Sequence, residues 1–151
     1  MEKKVWGNNI WYLFHTLAEK IQEDKYIQQK NNLFKVLEII CKNLPCPDCA
    51  DHAVETIKKI NIKNINSKES FKQLIFEFHN RVNQRLKKPE FTLDELNSKY
   101  KNANLSAILH NFYIIYNVSV YNEKLSAHSF HKQLQNKELY NTLNQILKNC
   151  S

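Results

Sequence analysis

Apolar residues recur three or four positions apart along most of the chain, with polar residues between them. This spacing predicts four amphipathic helices, over about residues 8–22, 27–43, 46–59 and 68–87. Few turn residues interrupt the pattern, because the sequence contains one glycine and three prolines. We therefore predict an all-α protein in which long helices are joined by short polar loops.

Capping signals locate the starts of two helices. Asn66 and Glu69 have the spacing of a capping box before the fourth helix, although Ser or Thr is the usual first residue. Thr92 and Glu95 form a second such pair. The second pair predicts a short fifth helix that ends near Lys101.

The C-terminal third predicts two more helices. Apolar residues from Leu105 to Tyr116 have helical spacing, whereas the following segment 118–121 is compatible with an extended strand as well. A final helix is predicted over 130–148. Cys150 follows it as the penultimate residue, where we expect a mobile tail.

The charge of the chain permits several kinds of partner. Lysine and arginine exceed aspartate and glutamate by 22 to 15, for a formal net charge of +7. The lysines are spread along the chain, which favours a solvated basic surface or a pocket for a phosphorylated cofactor over a nucleic-acid-binding face. No apolar run approaches the roughly 20 residues of a membrane span, and residues 1–14 lack the apolar core of a secretory signal. We expect a cytoplasmic protein that binds neither membranes nor nucleic acid.

The chemistry of the chain is concentrated in a Cys-x-x-Cys pair, Cys46 and Cys49, at the start of the third helix. Pro47 suits the first helical turn, and the exposed N–H groups of a helix start stabilise a thiolate. The motif alone is compatible with a redox pair, with half of a zinc site or with structural cysteines. A zinc-binding interaction module would use both cysteines, His52 and a fourth ligand, for which His79 is the best candidate.

Polar and aromatic side chains share helix faces elsewhere. Trp11 and His15 are four residues apart on the first helix, as are His79 and Asn83 on the fourth, with Asn80 beside them. Asn and His lower helix propensity, so a ligand that exchanges hydrogen bonds with them would offset that cost. Taken singly, Trp11 and His15 are more typical of a packed core, because aromatic stripes on helices are usually buried.

Three motifs lie in order along residues 5–101. They read Trp6-Gly7-x3-Trp11-x3-His15-Thr16-Leu17-Ala18, then Leu44-Pro45-Cys46-x2-Cys49-Ala50, then His79-Asn80-x-Val82-Asn83-x2-Leu86-x-Lys88-Pro89-x-Phe91. Together they resemble the ERV/ALR family of FAD-linked sulfhydryl oxidases. The resemblance implies a four-helix bundle with a short fifth helix, FAD at one end and a homodimer. Residues 1–104 would form this FAD-binding core, and residues 105–151 a helical extension packed on or beside it.

The resemblance also implies roles for individual residues. Cys46 and Cys49 are the redox pair, with Cys49 against the flavin ring and Cys46 as the outer sulfur that exchanges with the electron donor. No metal is implied. The implied FAD contacts are Trp6, Trp11, His15, Cys49, His79, Asn80, Val82, Asn83, Lys87, Lys88 and Tyr100.

The implied activity is thiol oxidation. A dithiol substrate, such as a thioredoxin-like carrier protein, gives up electrons that pass through the cysteine pair to FAD and then to O2, which yields hydrogen peroxide. Cys150 is a candidate shuttle thiol. The chain has Leu93 where cellular members often carry a cysteine, so the disulfide that clamps the adenine end is expected to be absent. Large cytoplasmic DNA viruses encode oxidases of this type, and the Asn-, Lys- and Ile-rich composition suits such a genome.

Overall fold

The computed structural model describes residues 3–121 and 127–151, and this part of the chain is helical without a β-strand. Its helices are α1 (Lys3–Lys20), α2 (Tyr26–Lys42), α3 (Pro47–Lys58), α4 (Lys68–Arg85), α5 (Leu93–Tyr100), α6 (Leu105–Tyr121) and α7 (Ala127–Leu147). Single 3₁₀ turns, Glu23–Lys25 and Ile62–Asn64, lie in two of the connections. The predicted all-α class is confirmed. Among the helices described, none combines the length and apolar composition of a membrane span.

Helices α1 and α2 are the centre of the fold. Helix α1 packs against α4, α5 and α6, while α2 packs against α3 and α7. One hydrophobic cluster runs through all of these helices except α5. Helices α6 and α7 contribute to it Leu109, Phe112, Tyr116, Leu139, Leu143 and Ile146. Each helix thus buries its apolar stripe, which is the main source of helix stability in a protein of this size. A boundary at residue 104 stays a prediction.

The N-terminal caps differ in one place from the sequence prediction. Ser67, not Asn66, caps α4, because its hydroxyl accepts a hydrogen bond from the Ser70 N–H at 3.1 Å while Ser70 Oγ accepts one from the Ser67 N–H at 3.0 Å. The Asn66 side chain instead donates to the Lys63 carbonyl at 2.6 Å. The predicted capping box of Thr92 and Glu95 at α5 is confirmed.

The C-terminal end of α4 is a Schellman motif. Lys87 N–H donates to the Gln84 carbonyl at 3.1 Å, and Lys88 N–H donates to the Asn83 carbonyl at 2.8 Å. Lys87 has a φ of 58°, in the left-handed region where this motif usually has glycine. A side chain with a Cβ is strained there.

The C-terminal residues contradict the expectation of a mobile tail. Ile21 and Cys150 form an antiparallel bridge beyond the end of α1. The Gln22 N–H donates to the Asn149 carbonyl at 2.9 Å, and the Ser151 N–H donates to the Lys20 carbonyl at 2.8 Å. These bonds fasten the chain end to the turn between α1 and α2. The sequence of segment 118–121 was compatible with either a helix or a strand, and its backbone is helical.

Candidate active site

A cavity of about 450 Å³ lies among α1, α2, α3, α4 and α5. Its size falls within the usual range of small-molecule and cofactor sites. The walls are largely aromatic, with Trp6, Trp11, Tyr12, Phe14, Phe78, His79, Phe91 and Tyr100 among the lining side chains. The cavity can therefore take a flat ligand against several rings.

The cysteine pair stands at one wall of this cavity. Cys46 is the N-cap of α3, and its sulfur accepts a hydrogen bond from the Cys49 N–H at 3.3 Å. Pro47 occupies the first helical position, as predicted. Cys49 is 8% exposed and lines the cavity, whereas Cys46 is half-buried and is not among the lining residues. The two sulfurs thus differ in access: one belongs to the cavity and the other lies nearer the surface.

A third cysteine, Cys41, also lines the cavity, from α2. It is 2% exposed, and burial raises the pKa of its thiol to about 12. Cys41 is therefore a neutral thiol at physiological pH and behaves as a small apolar side chain.

Two pairs of stacked rings meet beside the cavity. Trp11 lies flat on His79, with centroids 4.1 Å apart and planes at 7°, and His15 stacks on Tyr100 at 4.8 Å and 18°. The Nε2 atom of His15 and the Nδ1 atom of His79 are 2.8 Å apart, which joins the two pairs. The Phe91 ring also contacts His79, with centroids 4.9 Å apart and planes tilted by 54°.

Both histidines of this arrangement are uncharged at neutral pH. Burial, followed by the nearby His79 and Lys99, lowers the pKa of His15 to about 3. Burial, followed by Lys99 and Lys88, lowers the pKa of His79 to about 4. One ring must then donate the proton of their shared hydrogen bond and the other must accept it.

The alternative zinc site is not assembled. Among the described residues, no three His, Cys, Asp or Glu side chains come together in an arrangement that could hold a metal ion. His79, which the zinc interpretation needs as the fourth ligand, bonds His15 and stacks on Trp11 instead. His52 lines the cavity from α3, three residues beyond Cys49.

Most of the residues that the sequence singled out meet at the cavity. Those in its wall are Trp6, Trp11, Cys49, His79, Val82, Asn83, Lys88 and Tyr100. His15, Asn80 and Lys87 are not in the wall. His15 lies behind His79, and exposed Lys87 belongs to the turn after α4. The Asn80 side chain is bonded to the backbone of Phe91.

Sequence reasoning missed several residues of the cavity. Arg81 and Arg85 line it from α4, and the ammonium group of Lys99 lies over Tyr12, 4.9 Å from the ring centroid. Arg81 and Arg85 are four residues apart and follow Phe78 and Val82 by three residues each, so they could have been found by extending the Val82 face along the helix. Lys99 and Tyr12 gave no such signal, because only the packing of α5 on α1 brings them together. Among the described residues that line the cavity, none is acidic.

Comparison of the sequence with known proteins assigns the chain to a family. The sequence model of the Erv1/Alr family matches residues 8–103, which contain the cysteine pair and the helices around the cavity. The chain belongs to the Erv1/Alr family. Helices α6 and α7 lie beyond the region that the Erv1/Alr family model matches.

Similar Erv1/Alr relatives occur in viruses, plants and yeast. A putative FAD-linked sulfhydryl oxidase of Invertebrate iridescent virus 3 is 28% identical over 102 residues, 67% of this chain and 69% of the relative. The FAD-linked sulfhydryl oxidase of African swine fever virus (isolate Tick/Malawi/Lil 20-1/1983) is 29% identical over 103 residues, 68% of this chain and 86% of the relative. The FAD-linked sulfhydryl oxidase ERV1 of Arabidopsis thaliana is 32% identical over 94 residues, which is 62% of this chain but only 49% of the relative.

Proposed function

We propose that this chain is an FAD-dependent thiol oxidase, which forms disulfides in dithiol substrates and passes the electrons to O2. Membership of the Erv1/Alr family and the names of the relatives support the activity. One structural observation carries it: Cys49, the inner sulfur of the pair, lies in the wall of an aromatic cavity large enough for a cofactor. A redox pair beside a ligand cavity is the arrangement that electron transfer from thiols to a bound acceptor requires.

The residues of the cavity fit the chemistry of FAD. A flavin nucleotide combines flat rings with a negatively charged pyrophosphate, so it needs aromatic walls and cations. Trp11 and His79 supply ring faces, and the Asn83 side chain supplies an amide. Arg81, Arg85 and Lys88 line the cavity as well. The described residues place no carboxylate within ion-pair distance of these three cations, which leaves them available for phosphate.

The chain's own cysteines carry out the exchange with substrate. With Cys46 and Cys49 joined as a disulfide, a substrate thiolate attacks the Cys46 sulfur, and Cys49 leaves as a thiolate. The second substrate thiol then attacks the substrate sulfur of this mixed disulfide, releases oxidised substrate and frees the Cys46 thiolate. Cys46 suits the first attack because it is the more exposed of the two sulfurs. The Cys49 N–H at the start of α3, which donates to the Cys46 sulfur at 3.3 Å, stabilises the negative charge on Cys46 when it is released.

FAD, when bound, accepts two electrons from the reduced pair and delivers them to O2, which becomes hydrogen peroxide. In each cycle one substrate dithiol loses two electrons and two protons, and the cysteine pair returns to the disulfide. The substrate is a small dithiol or a protein dithiol, for which a thioredoxin-like carrier is our first candidate. A cytoplasmic location and a homodimer, both implied by the sequence, complete the proposal. A mass measurement in solution tests the dimer.

The proposed roles of the two sulfurs are tested by Cys49→Ser. We expect the purified variant to keep its flavin absorbance and to lose oxidation of dithiothreitol, because the inner sulfur is the one beside the cavity. Cys150→Ser is the matched control, since it also removes one thiol but far from the cavity. Native turnover by Cys49→Ser would contradict the proposal, and a colourless protein with stoichiometric zinc would favour the zinc module.

A further inference from the structure

The six residues that follow α4 form one side of the cavity. Leu86, Lys88, Pro89 and Phe91 of this segment, which we call the 86–91 loop, all line it. A loop of this length on the surface is mobile unless its backbone groups find partners. The precision with which it presents Lys88 and Phe91 therefore depends on how its two ends are held.

The first end of the loop is held by α4 itself. The Schellman bond from the Lys88 N–H to the Asn83 carbonyl, 2.8 Å long, fixes the direction in which the chain leaves the helix. This device ends at Lys88. It leaves the backbone of residues 89–91 without support from the helix cap.

The second end is held by one side chain, that of Asn80. Its Nδ2 atom donates to the Phe91 carbonyl at 2.8 Å, and the Phe91 N–H donates to its Oδ1 atom at 2.8 Å. Asn80 is 8% exposed and Phe91 is half-buried, so these two bonds are partly shielded from water. A carboxamide is the side-chain group whose adjacent donor and acceptor match the C=O and N–H of one residue. Both polar atoms of Asn80 are thus engaged by the protein.

The two hydrogen bonds with Asn80 hold the Phe91 ring in place. The ring lies 4.9 Å from that of His79, on which Trp11 is also stacked. The ammonium group of Lys99 is 5.7 Å from the centre of the same ring. Asn80 is the neighbour of His79 in sequence, so one turn of α4 sets the histidine and, through Asn80, the ring that packs on it.

We propose that Asn80 is a positioning residue, which fastens the 86–91 loop to α4 and so holds Phe91 and Lys88 in the cavity wall. This role differs from the direct FAD contact that the family resemblance implies for Asn80. The proposal rests on the proposed function in naming FAD as the ligand of the cavity. The fastening of the loop itself does not depend on which ligand binds.

A matched control lies in the same loop. Gln84 Nε2 donates to Glu90 Oε1 at 2.7 Å, which also ties the loop to α4, but both side chains are exposed. An exposed hydrogen bond contributes little, whereas loss of a buried one leaves backbone groups unsatisfied. Gln84→Ala should therefore behave as the unmodified protein does, and Asn80→Ala should not.

The test compares Asn80→Ala and Gln84→Ala in the full chain with two measurements. The first is the affinity for FAD, expected to fall by about tenfold or more in Asn80→Ala alone. The second is the rate at which trypsin cleaves the Lys87–Lys88 bond in the absence of FAD, followed by mass spectrometry. We expect this rate to rise about tenfold in Asn80→Ala and to stay unchanged in Gln84→Ala.

Each outcome decides the matter. Weaker FAD binding with unchanged cleavage would mean that Asn80 contacts the cofactor directly, and this would overturn the proposal, as would two unchanged measurements. If the unmodified chain failed to bind FAD, the proposed function would fail, while faster cleavage in Asn80→Ala would still support the fastening. If Asn80→Ala did not fold, hydrogen exchange in the unmodified chain would decide: the Phe91 amide should exchange about 100-fold more slowly than an open amide, and exchange at the open rate would overturn the proposal.

Discussion

His15 Nε2 and His79 Nδ1 lie 2.8 Å apart in a buried contact that joins α1 to α4. The contact needs at least one unprotonated nitrogen, because two protonated imidazoles would present a donor to a donor. Trp11 and Tyr100 cover the outer ring faces, so water has little access to stabilise a charge. This pair makes the stability of the protein depend on pH.

Lowering the pH from about 6.5 towards about 4 should destabilise the protein. The pKa is lowered to about 3 in His15 and to about 4 in His79, whereas in the unfolded chain both have the ordinary value of 6.5. Within this window the unfolded state binds more protons than the folded state, so the free energy of unfolding falls as the pH falls. The contribution of the two histidines to stability is complete above about pH 6.5. Urea unfolding from about pH 7.5 to about pH 5.5, above the range where carboxylates titrate, measures the slope.

Two variants test whether His15 and His79 cause this pH dependence of the free energy of unfolding. His15→Gln removes one of the buried groups and should make the dependence on pH shallower. His110→Gln removes an exposed histidine of α6 and should leave it as it is. Equal slopes in His15→Gln and in the unmodified protein would mean that the buried pair is not the cause.

Two substitutions at Lys87 distinguish the effect of backbone strain from the effect of charge. Lys87→Ala removes the ammonium group but keeps a Cβ at a φ of 58°, whereas Lys87→Gly removes both the charge and the strain. We expect the glycine variant to be more stable than the alanine variant by about 1 kcal/mol in urea unfolding. If the Lys87 charge also holds the FAD phosphates, both variants should lose FAD affinity equally. Equal stability of the two variants would mean that this turn is not strained.

Leu143→Ala tests whether α7 belongs to the common core. Leu143 is fully buried, and truncating such a leucine costs about 2–5 kcal/mol. If α7 unfolds together with α1 and α2, urea unfolding of Leu143→Ala should show a single transition, shifted to a lower urea concentration. Its exposed neighbour provides the control, since Asn144→Ala should change stability by less than about 0.5 kcal/mol. A separate, early transition in Leu143→Ala would make residues 105–151 an independent unit.

Cys150→Ser should leave thiol oxidation unchanged. Cys150 is bridged to Ile21, just before the start of α2, whereas Cys46 follows the end of α2, whose 17 residues span about 25 Å. Burial also raises the pKa of the Cys150 thiol to about 11, which disfavours the thiolate that exchange requires. We therefore expect turnover of dithiothreitol and of a protein dithiol to match the unmodified chain. A selective loss with the protein substrate would restore the shuttle role that the sequence suggested for Cys150.

Local patterns in the sequence were sufficient where a single helix decides the outcome. Apolar spacing and capping signals predicted each helix of the described chain, although α1 begins at Lys3, five residues earlier than predicted, and α6 continues to Tyr121. Cys46-x-x-Cys49 was correctly placed at a helix start. The cap of α4 was missed by one position because Asn66 and Ser67 are both good caps, and only the bond from Asn66 to Lys63 decides between them. Such near-equal local choices are settled by a neighbour's hydrogen bond.

The roles of single side chains on a helix face were harder to predict. His15, His79 and Asn80 all belong to the motifs of the family, and the sequence treats them alike. In the structure His79 reaches the cavity, His15 supports it from behind, and Asn80 bonds the Phe91 backbone. What separates them is a rotation about the helix axis and the position of a loop, which spacing along one helix does not specify.

The sequence by itself determined the helices and the family, because helical spacing and the order of three motifs are both properties of the chain that need no tertiary contact. Tertiary structure decided which side chains share the cavity, how the histidines become uncharged and where Cys150 lies. The physical reason is that burial and hydrogen-bond partnership belong to pairs of residues from different helices. The backbone bonds that hold residues 149–151 against the turn after α1 exist only once α7 has packed along α2.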